Sequence, residues 1–118
     1  MRRHICGFVY SLTISGNNIF AGTGNGVYLS TNNGQTWAQT ALNNQPVNSL
    51  VISGNYIFAG TYNGVYLSTN KGQIWTQTVL NNISVYSLAI SGNNIFAGTG
   101  YGVYLSTNNG SSWTQTAL

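Results

Sequence analysis

Groups that move protons, hold metals or attack electrophiles are nearly absent from this sequence. Its 118 residues include no Asp and no Glu; Arg2, Arg3 and Lys71 carry the only formal charges, for a net +3, and His4 and Cys6 are the sole histidine and cysteine. Glycoside hydrolysis ordinarily takes two carboxyl groups, or one carboxyl paired with a tyrosine nucleophile. A Ser-His-Asp triad would lack its acid, and calcium loops would lack their carboxylates. The expectation is a protein that is not an enzyme. His4 and Cys6 supply two metal ligands and no third, so a frayed N-terminal segment is the better reading of them. The run Gly22-Thr23-Gly24-Asn25-Gly26 has the glycines of a phosphate loop. It joins two strands, however, with neither a following helix nor a lysine. No metal and no cofactor is expected.

The remaining chemistry is that of aromatic rings, amides and hydroxyls. Tyrosines beside asparagine amides stack on a sugar ring and hydrogen-bond its hydroxyls. Tyr10, Tyr62, Asn63, Tyr86 and Tyr101 are the residues placed to do so, because they stand where an otherwise regular repeat varies. Their alternative reading is plain surface residues flanking turns.

The repeat positions them. Gly-Val-Tyr-Leu-Ser-Thr-Asn-Asn-Gly-Gln-Thr-Trp at 26–37 returns with small changes at 64–75 and 102–113, and a wider window gives three copies of one unit, 9–42, 47–80 and 85–118. Such self-similarity marks a repeat array. Within the first unit, 9–14 alternates and is rich in β-branched and aromatic residues, and Ser15-Gly16-Asn17-Asn18 supplies a turn. Strands are expected at 9–14, 19–23, 27–31 and 37–41, with no apolar spacing of helical period. The unit reads as a four-stranded antiparallel meander. Connectors 43–46 and 81–84 are too short for a helix, so successive meanders stack directly. Ile19 and Ala21 on one side of a strand and Phe20 and Gly22 on the other give both sheet faces apolar or small residues that expect cover. The fold class expected is all-β: a β-propeller with three four-stranded blades, 9–46, 47–84 and 85–118, after an N-terminal extension at 1–8. A β-solenoid is the main competitor, with shorter coils than these turn spacings suit.

The segment Ser30-Thr31-Asn32-Asn33-Gly34-Gln35-Thr36-Trp37 resembles the Asp-box, or BNR repeat, of pattern Ser/Thr-x-Asp-x-Gly-x-Thr-Trp/Phe, and the resemblance recurs at 68–75 and 106–113. Asp-boxes occur in sialidases, sortilin-type receptors, photosystem II stability factors and many secreted bacterial proteins. The resemblance implies a structural hairpin between the third and fourth strands of each blade, and an extracellular or periplasmic location. It assigns structural roles to Ser30, Asn32, Gly34 and Trp37, to Ser68, Asn70, Gly72 and Trp75, and to Ser106, Asn108, Gly110 and Trp113. The sequence departs from the pattern with Asn32, Asn70 and Asn108 where Asp is usual, and with Ile74 and Ser112 where Thr is usual. Asn keeps a carbonyl acceptor for N–H groups two residues ahead, and the tryptophans are expected to be largely buried. The arginine cluster of the sialidase relatives has no counterpart.

Partners follow from charge and from blade count. Two of the three cations sit at the N-terminus and Lys71 stands alone, so no basic stripe faces a nucleic acid. The start has signal-peptide grammar, with Arg2 and Arg3 before an apolar run. Residues 9–14 nevertheless differ from 85–90 only at Thr13, so they belong to the first repeat and are read as mature protein. No apolar run reaches the roughly 20 residues that span a bilayer. Closed propellers have about 4 to 8 blades, so the expected partner is the chain itself, a homodimer closing a six-bladed ring, with a homotrimer second. Two functional readings stay open: a structural, self-assembling module, and a lectin-like module for neutral carbohydrate.

Overall fold

The structure, a computed structural model, describes residues 8–118. Arg2, Arg3, His4, Cys6 and the rest of the expected extension before Phe8 lie outside the described residues, as do the readings attached to them. Alternating apolar residues with Gly-containing turns build strands β1 (Val9–Ser15), β2 (Asn18–Thr23), β3 (Gly26–Ser30) and β4 (Ala38–Gln39). The same sequence builds β5 (Val47–Ser53), β6 (Tyr56–Thr61), β7 (Gly64–Ser68) and β8 (Thr76–Asn81), then β9 (Val85–Ser91), β10 (Asn94–Thr99), β11 (Gly102–Ser106) and β12 (Thr114–Gln115). Among the described residues these form three separate four-stranded sheets, each an antiparallel meander in chain order.

Local chemistry sets the register. Ser15 pairs with Asn18 across a two-residue loop whose first residue, Gly16, has φ +59°, the conformation that favours glycine at the start of a type II′ hairpin. Gly26 has φ +106°, and a Cβ there would stand 2.1 Å from the Leu42 carbonyl oxygen. Only glycine admits the end of the blade so close, and Val27 N–H donates to that carbonyl at 2.8 Å. The fourth strand is shorter than expected in the first and third blades. Its ladder is two residues long, and Trp37 precedes it because the indole belongs to the turn. Each first strand carries a β-bulge at Tyr10, Asn48 or Tyr86, where one residue has no partner opposite.

The core lies between sheets. Phe20, Val27 and Leu42 of the first sheet meet Val47, Leu50, Ile57 and Ala59 of the second. Phe58, Val65 and Leu80 of the second meet Val85, Leu88, Ile95 and Ala97 of the third. Alternation along β6 explains the division, since Ile57 and Ala59 point back and Phe58 points forward. The sheets converge on their first strands, with β1 against β5 and β5 against β9. At that convergence Leu50 N–H donates to Ser11 Oγ at 3.0 Å, and Leu88 N–H to Ser49 Oγ at 3.1 Å.

Candidate functional site

The turn at 30–37 is built around a buried serine hydroxyl. Ser30 is 1% exposed; its Oγ accepts the Gly34 N–H at 2.8 Å and donates to Asn32 Oδ1 at 3.0 Å. Asn32 Oδ1 also accepts the Thr36 N–H at 3.0 Å, and its Nδ2 donates to Thr36 Oγ1. The other turns repeat this. Gly72 N–H reaches Ser68 Oγ at 2.8 Å and Ile74 N–H reaches Asn70 Oδ1 at 2.9 Å. Gly110 N–H reaches Ser106 Oγ at 2.8 Å and Ser112 N–H reaches Asn108 Oδ1 at 2.9 Å. The asparagine therefore serves an N–H four residues ahead, not two, and the nearer Gly34 N–H belongs to the serine.

The tryptophans are less buried than expected, and unequally so. Trp75 and Trp113 are half-buried, and they pack against the first and second joints between sheets. Trp37 is 41% exposed. The cause is position: each of these two indoles leans on the preceding sheet, and among the described residues no sheet precedes the first. Trp37 Nε1 donates to Gly34 O at 3.1 Å, whereas the buried indole N–H groups of Trp75 and Trp113 find no acceptor among the described residues.

The loops between second and third strands share a face with the connectors between sheets. There Tyr62, Asn63, Tyr86 and Tyr101 line one cleft of about 560 Å³, together with Asn82 and Ser84 from the connector. The rings of Tyr62 and Tyr86 meet edge to face, with centroids 6.2 Å apart and planes at 71°. Tyr86 stands at the β9 bulge, which turns its side chain toward the loops. Tyr10 occupies the matching bulge of the first blade, away from this cleft, and its ring lies 6.4 Å from that of Phe8. Sequence reading missed Asn82 and Ser84; the positive φ of Asn82, +59°, is what its Asn identity signalled. The turns at Gly16 and Gly54 and the tryptophan-bearing turns share the other face. No group of three or more His, Cys, Asp or Glu side chains occurs among the described residues, and no helix there is long and apolar enough to cross a membrane.

No protein-family model and no curated protein sequence matches the chain. Solved structures do match. An ancestral GH74 enzyme superposes with TM-score 0.81 and 30% identity over 92% of this chain and 18% of its own. The computationally designed Ika4 protein superposes with TM-score 0.76 and 13% identity over 95% of this chain and 73% of its own. The photosystem II stability factor YCF48 from Cyanidioschyzon merolae does so with TM-score 0.72 and 19% identity over 90% of this chain and 36% of its own. These neighbours are β-propellers. The chain is three blades of one. It resembles the Asp-box type of propeller, and it spans about a fifth of the GH74 chain and about a third of the YCF48 chain.

Proposed function

We propose that this chain is a non-catalytic propeller module that closes into a ring with copies of itself and serves as a structural or interaction scaffold. The observation that carries the reading is a match between exposed and buried faces. Val9, Leu12, Ile14 and Trp37 are exposed on the first blade, with Leu12 at 64%, while Val47 and Leu50 at the same places in the second blade are buried. On the third blade Phe96 and Val103 are only half-buried and Leu118 is exposed, while Phe20, Val27 and Leu42 at the same places in the first blade are buried. The two end faces are thus the two halves of a joint that the chain already makes twice. Exposed apolar residues gathered on both end faces, with few charges to repel a neighbour, favour association.

Because the ends differ, the contact runs head to tail and must close or grow without limit. Two chains give six blades, inside the usual range of about 4 to 8, and three give nine. The scaffold reading also fits a chain without carboxylates, since hydrolysis of the kind its GH74 neighbour's name implies would need them. Light scattering coupled to size exclusion tests the assembly. Two chain masses are expected, three would replace the six-bladed ring by a nine-bladed one, and one would overturn the reading.

A further inference from the structure

We infer that the cleft between the second and third blades is a binding site for a neutral saccharide, one per chain. Three tyrosines face it, Tyr62, Tyr86 and Tyr101, the last 75% exposed. Among the described residues no protein group hydrogen-bonds their phenol oxygens or the Asn82 side-chain amide. The cleft therefore presents flat apolar rings surrounded by uncommitted donors and acceptors. The C–H face of a pyranose matches the rings, and its hydroxyls, each both donor and acceptor, match the phenols and the amide.

Charge excludes the nearest competitors. An anion finds no cation, because Lys71 is the only Lys or Arg among the described residues and its turn lies on the opposite face. A quaternary ammonium group, which tyrosine rings hold by cation–π attraction, finds no carboxylate in a chain of net charge +3. A proline-rich strand suits aromatic grooves, but its prolines bring carbonyl acceptors and no N–H. The acceptor Asn63 Oδ1 needs a donor, since it is the Nδ2 of that amide that is committed, to Gln45 Oε1 at 3.2 Å.

The equivalent cleft between the first and second blades lacks this chemistry. Gly24 stands where Tyr62 does, and Asn48 stands where Tyr86 does. The Asn48 amide is turned inward and donates to the Val85 carbonyl at 3.0 Å. A near-perfect repeat has changed at these places, and the changes gather the tyrosines at one joint.

The test is an array of neutral and acidic glycans probed with the full chain, followed by calorimetric titration of the best neutral oligosaccharide. Saturable binding of a neutral glycan at one site per chain is expected. Tyr101→Ala and Tyr62→Ala should weaken it about tenfold, the scale of one lost aromatic contact, with unchanged circular dichroism, while Val79→Ala, at an exposed residue outside the cleft, leaves it intact. Absence of any neutral glycan hit overturns the inference. So does binding that Tyr101→Ala leaves unaltered, or a preference for choline or a proline-rich peptide in the same titration. The cleft lies within one chain, so its failure leaves the ring untouched, and a monomeric chain that binds glycan would overturn the ring alone.

Discussion

The ring of Phe20 ends 3.6 Å from where a side chain on Gly72 would begin, although the two residues belong to different blades. Gly110 stands in the same relation to Phe58, at 3.5 Å. The serine-centred turn is thus half of a joint: its glycine receives the phenylalanine of the blade before, and its tryptophan closes over the same seam. Among the described residues no blade precedes Gly34, and it meets only its own Trp37.

That asymmetry separates two otherwise identical substitutions. Trp75→Ala should cost about 2 to 4 kcal/mol, toward the lower part of the usual range because the indole is half-buried. Trp37→Ala should cost no more than about 1 kcal/mol in separated chains, since it removes an exposed ring. Denaturant melts of dilute protein check both, and equal losses would show that the indole does not act through the preceding blade.

The turn's interior offers a second comparison. Ser68→Ala leaves the Gly72 N–H and the Asn70 side chain without their buried partner and should cost about 1 to 3 kcal/mol. Asn70→Ala strips the acceptor from the Ile74 N–H and should also destabilise, whereas Asn70→Asp keeps it and should be tolerated. Asn70 suits the aspartate better than Asn32 does, because Asn32 Nδ2 donates to Thr36 Oγ1 and position 74 has no hydroxyl. If alanine and aspartate at 70 melt alike, the turn is not held by that side chain.

Much of this was legible in the sequence. Alternation along the strands and glycines at the turns name the blades, and the division of Ile19 and Ala21 from Phe20 and Gly22 places both joints. What escaped was what depends on neighbours in space. Trp37, Trp75 and Trp113 are the same letter in the same motif, and only the absence of a preceding sheet exposes the first. The reach of Asn32 to Thr36 follows from the path of the turn, which a spacing rule for isolated turns does not contain. Tyr62 and Tyr86 lie in different repeats, and their meeting depends on how the β9 bulge and the loop at 62–63 share an edge. Tyr10 shows the limit from the other side, since it has the same bulge and no tyrosine to meet.

Lys71 is a local misfit. It has φ +63° where the equivalent residues Asn33 and Asn109 have +64° and +58°, a region that asparagine tolerates better than lysine. Lys71→Asn should therefore stabilise the chain by about 0.5 to 1 kcal/mol. A thermal melt that fails to rise would show that the lysine recovers the strain through contacts of its stem.

Acid should leave the fold nearly unchanged. The chain has no side-chain carboxylate whose protonation between about pH 2.5 and 5.5 could differ between folded and unfolded chains. The Asn70→Asp variant should behave differently. Its carboxylate would accept the Ser68 hydroxyl and the Ile74 N–H when folded, which holds its folded pKa below the unfolded value. The resulting stability is present above the unfolded pKa and is lost as pH falls through the folded one. Melts across this range should be flat for the parent chain and sloped for the variant.

The sharpest test of the proposed ring is a glycine. A Cβ on Gly60 would stand 2.8 Å from Val85 Cγ1, and one on Gly22 would stand 3.0 Å from Val47 Cγ1, because these glycines admit the valine of the following blade. Gly98 occupies the same place in the third blade, and a Cβ there meets only its own blade, at 3.6 Å from Ser87. In a closed ring Gly98 would receive Val9 of the next copy, as Gly60 receives Val85. Gly60→Val should thus overpack an internal joint and cost about 1 to 3 kcal/mol or more in the chain itself. Gly98→Val should leave circular dichroism and the melt of the separated chain close to the parent, yet reduce the assembled mass to that of one chain. Assembly of Gly98→Val at the parent's mass would mean that the third blade does not meet the first in the way the second meets the third.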